Sequence, residues 1–166
     1  NPGDEVIVLE PFYTNYNTFA FMNGLTLKAI PTDIRNGFQI PPIEEFEKAI
    51  TDKTKAILVC NPGNPTGTQY SKESMLALGE IARKHDLFLL SDEVYREFCY
   101  TDEPHFSAMQ IPGLEQNVIL IDSVSKRYNL CGARIGCIVS HNKDVMAAAM
   151  KFAQARLCPP VLVQMA

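Results

Sequence analysis

The sequence predicts an α/β fold, a three-layer α-β-α sandwich around a mostly parallel sheet. Three observations support this. Short β-rich apolar runs alternate with segments of helical apolar spacing, the pattern of repeated βαβ units. The polar residues of chemical interest cluster just after the third, fourth and fifth runs, and open α/β sheets bind ligands outside the carboxyl ends of their strands. The 166 residues are enough for one ordinary domain with a real core and too few for two.

In chain order, Val6–Leu9 reads as a short buried strand, and Tyr13–Asn23 as a helix that Gly24 ends. Thr26–Ile30 is a second strand. Pro41 and Pro42 precede an apolar stripe of Ile43, Phe46, Ala49 and Ile50, with proline at the helix start, where its missing N–H costs nothing. Ala56–Cys60 is a third strand and runs straight into a Pro/Gly/Asn loop. Ser71 caps a helix with the stripe Met75, Leu78, Ile81, Ala82 and His85. Leu87–Leu90 is a fourth strand, ending in Ser91-Asp92-Glu93. Val118–Ile121 is a fifth, ending near Ser123 and Lys126. Ile135–Val139 follows after only a loop, so it returns antiparallel. A helix from Asp144 to about Leu157 comes last, with no repeats and no low-complexity linker.

Composition narrows the function classes. Apolar residues make up 46% and charged residues 20%, the profile of a soluble globular protein. No apolar run reaches the roughly 20 residues that span a bilayer. The net charge is −4 and the basic residues are scattered, which argues against nucleic acid as a partner. The five cysteines (Cys60, Cys99, Cys131, Cys137, Cys158) form no C-x-x-C pair. Several sit in apolar strand-like runs as small hydrophobes, and a reducing cytoplasm is the expected compartment. His85, His105 and His141 show no metal-ligand spacing; His85 reads as a core or boundary residue. Gly-rich nucleotide loops are absent.

Three motifs remain. Asn61-Pro-Gly-Asn-Pro-Thr-Gly67 is, taken alone, a turn. Ser91-Asp-Glu-Val-Tyr95 is a helix cap, and Lys126 within Ser123-Val-Ser-Lys-Arg-Tyr-Asn-Leu-Cys-Gly-Ala-Arg-Ile-Gly136 is a solvated loop lysine. Together and in this order they resemble the class I/II aminotransferases of pyridoxal-phosphate fold type I, the aspartate-aminotransferase-like group. The third segment fits that family's lysine motif at Ser123, Ser125, Lys126, Asn129, Leu130, Gly132, Arg134, Ile135 and Gly136. The opening Gly3-Asp-Glu-Val6, Pro11, Tyr13 and Tyr16 match it too, so the resemblance covers essentially the whole chain.

The resemblance implies pyridoxal 5'-phosphate as cofactor and Lys126 as the catalytic Schiff-base lysine, which then shuttles a proton as general acid–base. Asp92 matches the carboxylate that keeps the pyridine nitrogen protonated. Asn64 and Tyr95 match donors to the ring hydroxyl oxygen, and Tyr13 the aromatic stacked on the ring. Ser123 and Arg134 match phosphate ligands. Gly132 and Gly136 are expected to allow close backbone turns, and Asn64–Pro65 to be cis. Glu93 is expected to be structural. The implied reaction is amino transfer between an amino acid and a 2-oxo acid.

Both ends look cut, so residues 1–166 are expected to be an incomplete cofactor-binding large domain. The N-terminal segment and the C-terminal small domain of the relatives are absent from it. Arg35, Arg83, Arg96, Arg127 and Arg156 match no carboxylate-binding motif, so weak or no turnover is expected of the chain alone. The resemblance also implies a homodimeric parent. The same fold supports β-lyases, decarboxylases and the effector-binding domains of certain transcriptional regulators.

Overall fold

The computed structural model describes residues 1–157 and 160–165; Cys158 lies outside them. Six strands form one sheet: β1 (Glu5–Glu10), β2 (Thr26–Pro31), β3 (Thr54–Cys60), β4 (Phe88–Asp92), β5 (Val118–Ser123) and β6 (Gly136–Val139). Their order is β2-β1-β3-β4-β5-β6. All neighbours are parallel except β5 and β6, which pair antiparallel with Ser123 opposite Gly136, as the short connection requires.

Side chains alternate across this sheet. Ile7, Leu9, Ile57, Val59 and Leu89 enter the larger core, while Val6, Val8, Ala56 and Leu58 enter a smaller one on the other face. The larger core is closed by α2 (Ile43–Ala49) and α3 (Lys72–Lys84), through Phe46, Met75, Leu78, Ile81 and Ala82. The larger of these, Phe46, Met75, Leu78 and Ile81, each contribute roughly 1.5–3 kcal/mol when fully buried. The smaller core is closed by α1 (Asn15–Met22), through Tyr16. Central strands are therefore apolar on both faces, which is why their sequences read as unbroken apolar runs. β6 is an exposed edge, and the last long helix, α5 (Lys143–Ala155), has no buried residue.

Most elements stand where the sequence places them, and the differences have local causes. Ser71 accepts a hydrogen bond from the Ser74 N–H and starts α3 as expected, but Pro42 is the extended residue before α2 rather than its first helical one. Tyr13 lies ahead of α1. Ile135 lies ahead of β6, because Arg134 takes a left-handed φ of 56° that breaks the strand. Lys126 is not in a loop. Ser123 accepts from Ser125 N–H and caps a one-turn helix, α4 (Val124–Arg127), that carries the lysine. His85 ends α3 as a boundary residue, with Nε2 2.8 Å from Glu47 Oε2.

The chain steps from β1 outward to β2 and then back across to β3, so the topological switch lies between β1 and β3. A small crevice opens there, lined by Pro11, Phe12, Tyr16, Cys60, Asn64 and Tyr70 among others. The segments after β1, β3, β4 and β5 all leave on this side, where ligands of open α/β sheets bind.

Gly79 tests the α3 packing. A Cβ built there would sit 2.6 Å from Ile111 Cγ2, on a stiff β-branched side chain. Alanine gains about 1 kcal/mol of helix propensity, but overpacking costs about 1–3 kcal/mol. Gly79→Ala should therefore lower unfolding stability in urea by about 1 kcal/mol. In an Ile111→Ala background the same change should become neutral or stabilising.

Candidate active site

Asp92 ends β4, and its carboxylate is bonded to Tyr16, which lines the crevice. Oδ2 accepts from the Tyr16 phenol at 2.6 Å and Oδ1 from Val94 N–H at 3.3 Å. Among the described residues no Lys, Arg or His nitrogen lies within ion-pair distance of it. Burial is the larger influence and raises the Asp92 pKa; the Tyr16 and Val94 hydrogen bonds oppose it. Burial first, then the nearby Cys60 and Asp92, pushes the Tyr16 phenol far up, so it stays a proton donor. Burial likewise drives the Cys60 thiol up to about 12. Tyr16 stacks on Phe12 and meets the exposed Tyr13 edge to face at 5.6 Å.

A second group stands beside it. Asn64 Nδ2 lies 3.4 Å from the Tyr95 hydroxyl, at the long limit of a hydrogen bond. The Lys126 ammonium lies 5.7 Å from the centroid of the Tyr95 ring, a cation–π distance. Asn64–Pro65 is cis, as are Glu10–Pro11 and Asn61–Pro62.

The third group is looser. The Ser123 hydroxyl contacts Ser125 Oγ at 2.8 Å and the Ile135 carbonyl at 2.9 Å, which ties α4 to the segment bearing Arg134. The Arg134 guanidinium is exposed, donates to its own loop at Cys131 O, and takes part in no ion pair among the described residues. Its side chain is not brought to Ser123. Of the two signature glycines, Gly136 does allow a close approach: a Cβ there would lie 3.1 Å from Asp122 O. Gly132 lies in the single 3₁₀ turn Cys131–Ala133, with open space where a Cβ would stand.

Glu93, next to Asp92, is fully buried. It accepts from Ser91 Oγ at 2.9 Å, Ser107 Oγ at 3.0 Å and Ala108 N–H at 2.9 Å, and His105 Nε2 lies at 3.0 Å. Burial alone would raise its pKa, but the hydrogen bonds from His105, Ala108, Ser107 and Ser91 outweigh that and lower it. The sequence shows no metal-ligand spacing at His105 and offers Tyr16 only within the opening stretch that matches the family. Neither contact has a local signal, since the partners lie 12 and 76 residues away. Among the described residues no cluster of His, Cys, Asp or Glu suits a metal, and no helix is long and apolar enough to cross a membrane.

The adjacent carboxylates carry opposite pH linkage. The lowered Glu93 pKa contributes stability above about pH 4 that is lost as pH falls through its folded value. The raised Asp92 pKa favours folding only below about pH 4, an advantage lost as pH rises through its folded value. Glu93→Gln should cost about 2 kcal/mol at pH 7 and flatten the acid limb of the stability profile. Asp92→Asn should raise the unfolding midpoint at pH 7 and lose that gain in acid. Denaturant unfolding from pH 3 to 8 measures both.

A family model described as "Aminotransferase class I and II" matches residues 1–166. The Bacillus subtilis protein YugH is 37% identical over 168 residues, covering 100% of this chain and 42% of that protein. The aspartate/prephenate aminotransferase of Thermus thermophilus is 34% identical over 166 residues, again 100% of this chain and 42% of the relative. A solved structure of aspartate aminotransferase from Thermus thermophilus superposes with a TM-score of 0.87 at 34% identity, covering 96% of this chain and 41% of that one. The chain thus spans about two fifths of the relatives it matches. With the match running from first residue to last, and the same sheet found in a solved member, the chain belongs to the class I and II aminotransferase family.

Proposed function

We propose that residues 1–166 form part of the large, cofactor-binding domain of a pyridoxal-phosphate-dependent aminotransferase that moves an amino group between an amino acid and a 2-oxo acid. The observation that carries this reading is Asp92. A half-buried carboxylate with a phenol and a backbone N–H on it, and no cation among the described residues, is what a protonated ring nitrogen requires as partner.

The other groups fit the same cofactor. Tyr13 offers an exposed aromatic face next to Tyr16. Asn64 and Tyr95 offer two polar groups, 3.4 Å apart, to a ring hydroxyl oxygen. Ser123 offers a hydroxyl to a phosphate, and Arg134, which here donates to Cys131 O, would have to turn from its own loop to add a guanidinium. When bound, pyridoxal phosphate supplies an electron sink that makes the α-proton of an amino acid removable. Asp92 would hold a proton on the ring nitrogen. Lys126 would hold the cofactor covalently through Nζ, and its amine would take up and return the α-proton as general acid–base.

The names of the relatives, aspartate/prephenate aminotransferase among them, support amino transfer over other reactions of this fold. We propose a cytoplasmic setting, with Cys60, Cys99, Cys131 and Cys137 all free. A homodimeric whole protein is proposed as well, since Phe19, Phe21, Met150 and Phe152 stand exposed on α1 and α5. The chain alone should bind cofactor weakly and turn over poorly, because none of its unassigned arginines matches a clamp for the substrate carboxylate.

Mixing the chain with pyridoxal phosphate, reducing with borohydride and mapping peptides tests the reading. The label should concentrate on Lys126 by about tenfold or more over the other lysines, and Lys126→Ala should abolish that preference. Label spread evenly over the surface lysines would sink the assignment.

A further inference from the structure

Arg96 and Arg127 flank two candidate site residues, Tyr95 and Lys126, and match no motif. The structure gives both the same partner. Asp122, buried at the end of β5, takes Arg96 Nη2 at 2.9 Å and Arg127 Nη2 at 3.3 Å on Oδ2, and Ser123 N–H at 2.7 Å on Oδ1. Glu97 Oε1 lies 3.3 Å from Arg127 Nη2 and 3.9 Å from Arg96 Nε, closing the bridge from outside. We infer that Asp122, with Arg96 and Arg127, is a positioning group that locks the turn carrying Tyr95 to the helix carrying Lys126, and so fixes the lysine amine against the phenol ring.

The need for such a tie follows from the local structure. α4 is four residues long, and an isolated helical turn is unstable because nucleation fixes several dihedrals for one hydrogen bond. Past β4, the segment bearing Tyr95 is a turn held by Arg96 N–H to Glu93 O at 3.0 Å and Phe98 N–H to Tyr95 O at 2.8 Å. Neither piece is held to the other by sheet hydrogen bonds. Asp122 is anchored by the β4–β5–β6 ladder, where it pairs with Cys137. From that fixed point it grips one arginine from each piece, each adjacent in sequence to the residue being placed. A bidentate-capable guanidinium on a largely buried carboxylate is worth more than an exposed pair and is directional. The same grip keeps two guanidiniums on Asp122, so neither pairs with Asp92.

The inference rests on the cofactor reading for its functional meaning, but its geometry is testable without cofactor. Reductive dimethylation with ¹³C-formaldehyde keeps lysine charged and reports ring currents from a nearby aromatic. The Lys126 methyl resonance, assigned by its loss in Lys126→Arg, should be offset in the chain relative to Tyr95→Leu. Asp122→Asn should remove more than half of that offset. Arg96→Gln, at a partly exposed position, should do the same. The double variant should be no worse than Asp122→Asn alone, and Glu47→Gln, which breaks the remote pairs to Lys84 and His85, should leave the offset whole. Persistence of the offset in both single variants, or its absence from the unsubstituted chain, overturns the proposal. In the borohydride experiment, Asp122→Asn should cut the Lys126 share of label by about tenfold. If the unsubstituted chain shows the offset but no Lys126 label, the cofactor reading fails and the positioning role stands.

Discussion

Asp92 accepts a 2.6 Å hydrogen bond from Tyr16 while burial works against its charge, and the candidate site is arranged around that contact. Desolvating a carboxylate costs several kcal/mol, whereas a hydrogen bond to a charged group returns about 1.5–3 kcal/mol. One phenol and one long backbone contact therefore leave a deficit, visible as the upward pKa shift. Its neighbours show that the fold can do otherwise. Glu93, one residue on, has four donors and a lowered pKa; Asp122, on the next strand, has two guanidiniums. Three carboxylates a few ångströms from the same strand ends are satisfied in three ways, and only Asp92 is left without a full set. On the cofactor reading, a cationic ligand atom at that position would supply the missing partner.

The same division holds on the cationic side. Arg96 and Arg127 are committed to Asp122, while Arg134 holds only a carbonyl of its own loop and Lys126 rests over an aromatic face. A cation over a ring is attracted by about 0.5–1 kcal/mol when exposed, too little to immobilise a long side chain by itself. On the cofactor reading, the amine would leave Tyr95 for a reacting carbon while the helix that carries it stays put. Rigid support under a mobile end group is the division of labour that the Asp122 bridge provides.

The fold was legible in the sequence because its strongest signals are one-dimensional. Unbroken apolar runs at Val6 and Ala56 mark strands buried on both faces, and Ser71 marks the start of α3. The three motifs likewise put Asp92 at the end of β4, and Asn64, Tyr95 and Lys126 a few residues past the ends of β3, β4 and β5. What escaped was whatever depends on two distant segments meeting. The Tyr16–Asp92 and His105–Glu93 contacts have no periodicity or spacing to betray them, and Arg96 and Arg127 look like solvated charges until Asp122 is seen between them. Boundaries failed for a local reason: Lys126 was read as a loop residue because a four-residue helix is too short to show a period.

Strand ends suit this chemistry because the backbone ladder runs slightly past the strands. Asn61 N–H bonds Asp92 O at 2.9 Å, and Glu93 N–H bonds Ile121 O at 2.9 Å. Residues 61, 92, 93 and 121 are therefore registered by main-chain hydrogen bonds rather than by side-chain packing. Their side chains can be chosen for charge and hydrogen bonding with little effect on the backbone that places them. Tertiary packing below the ladder, in the Ile57–Leu89–Val118 layer, keeps that registry stiff. Beyond the ladder the backbone no longer positions anything for itself, and Tyr95 and Lys126 lie beyond it. An added electrostatic tie is needed at the first residues past the sheet, where Arg96 and Arg127 stand and where Asp122 grips both from within β5.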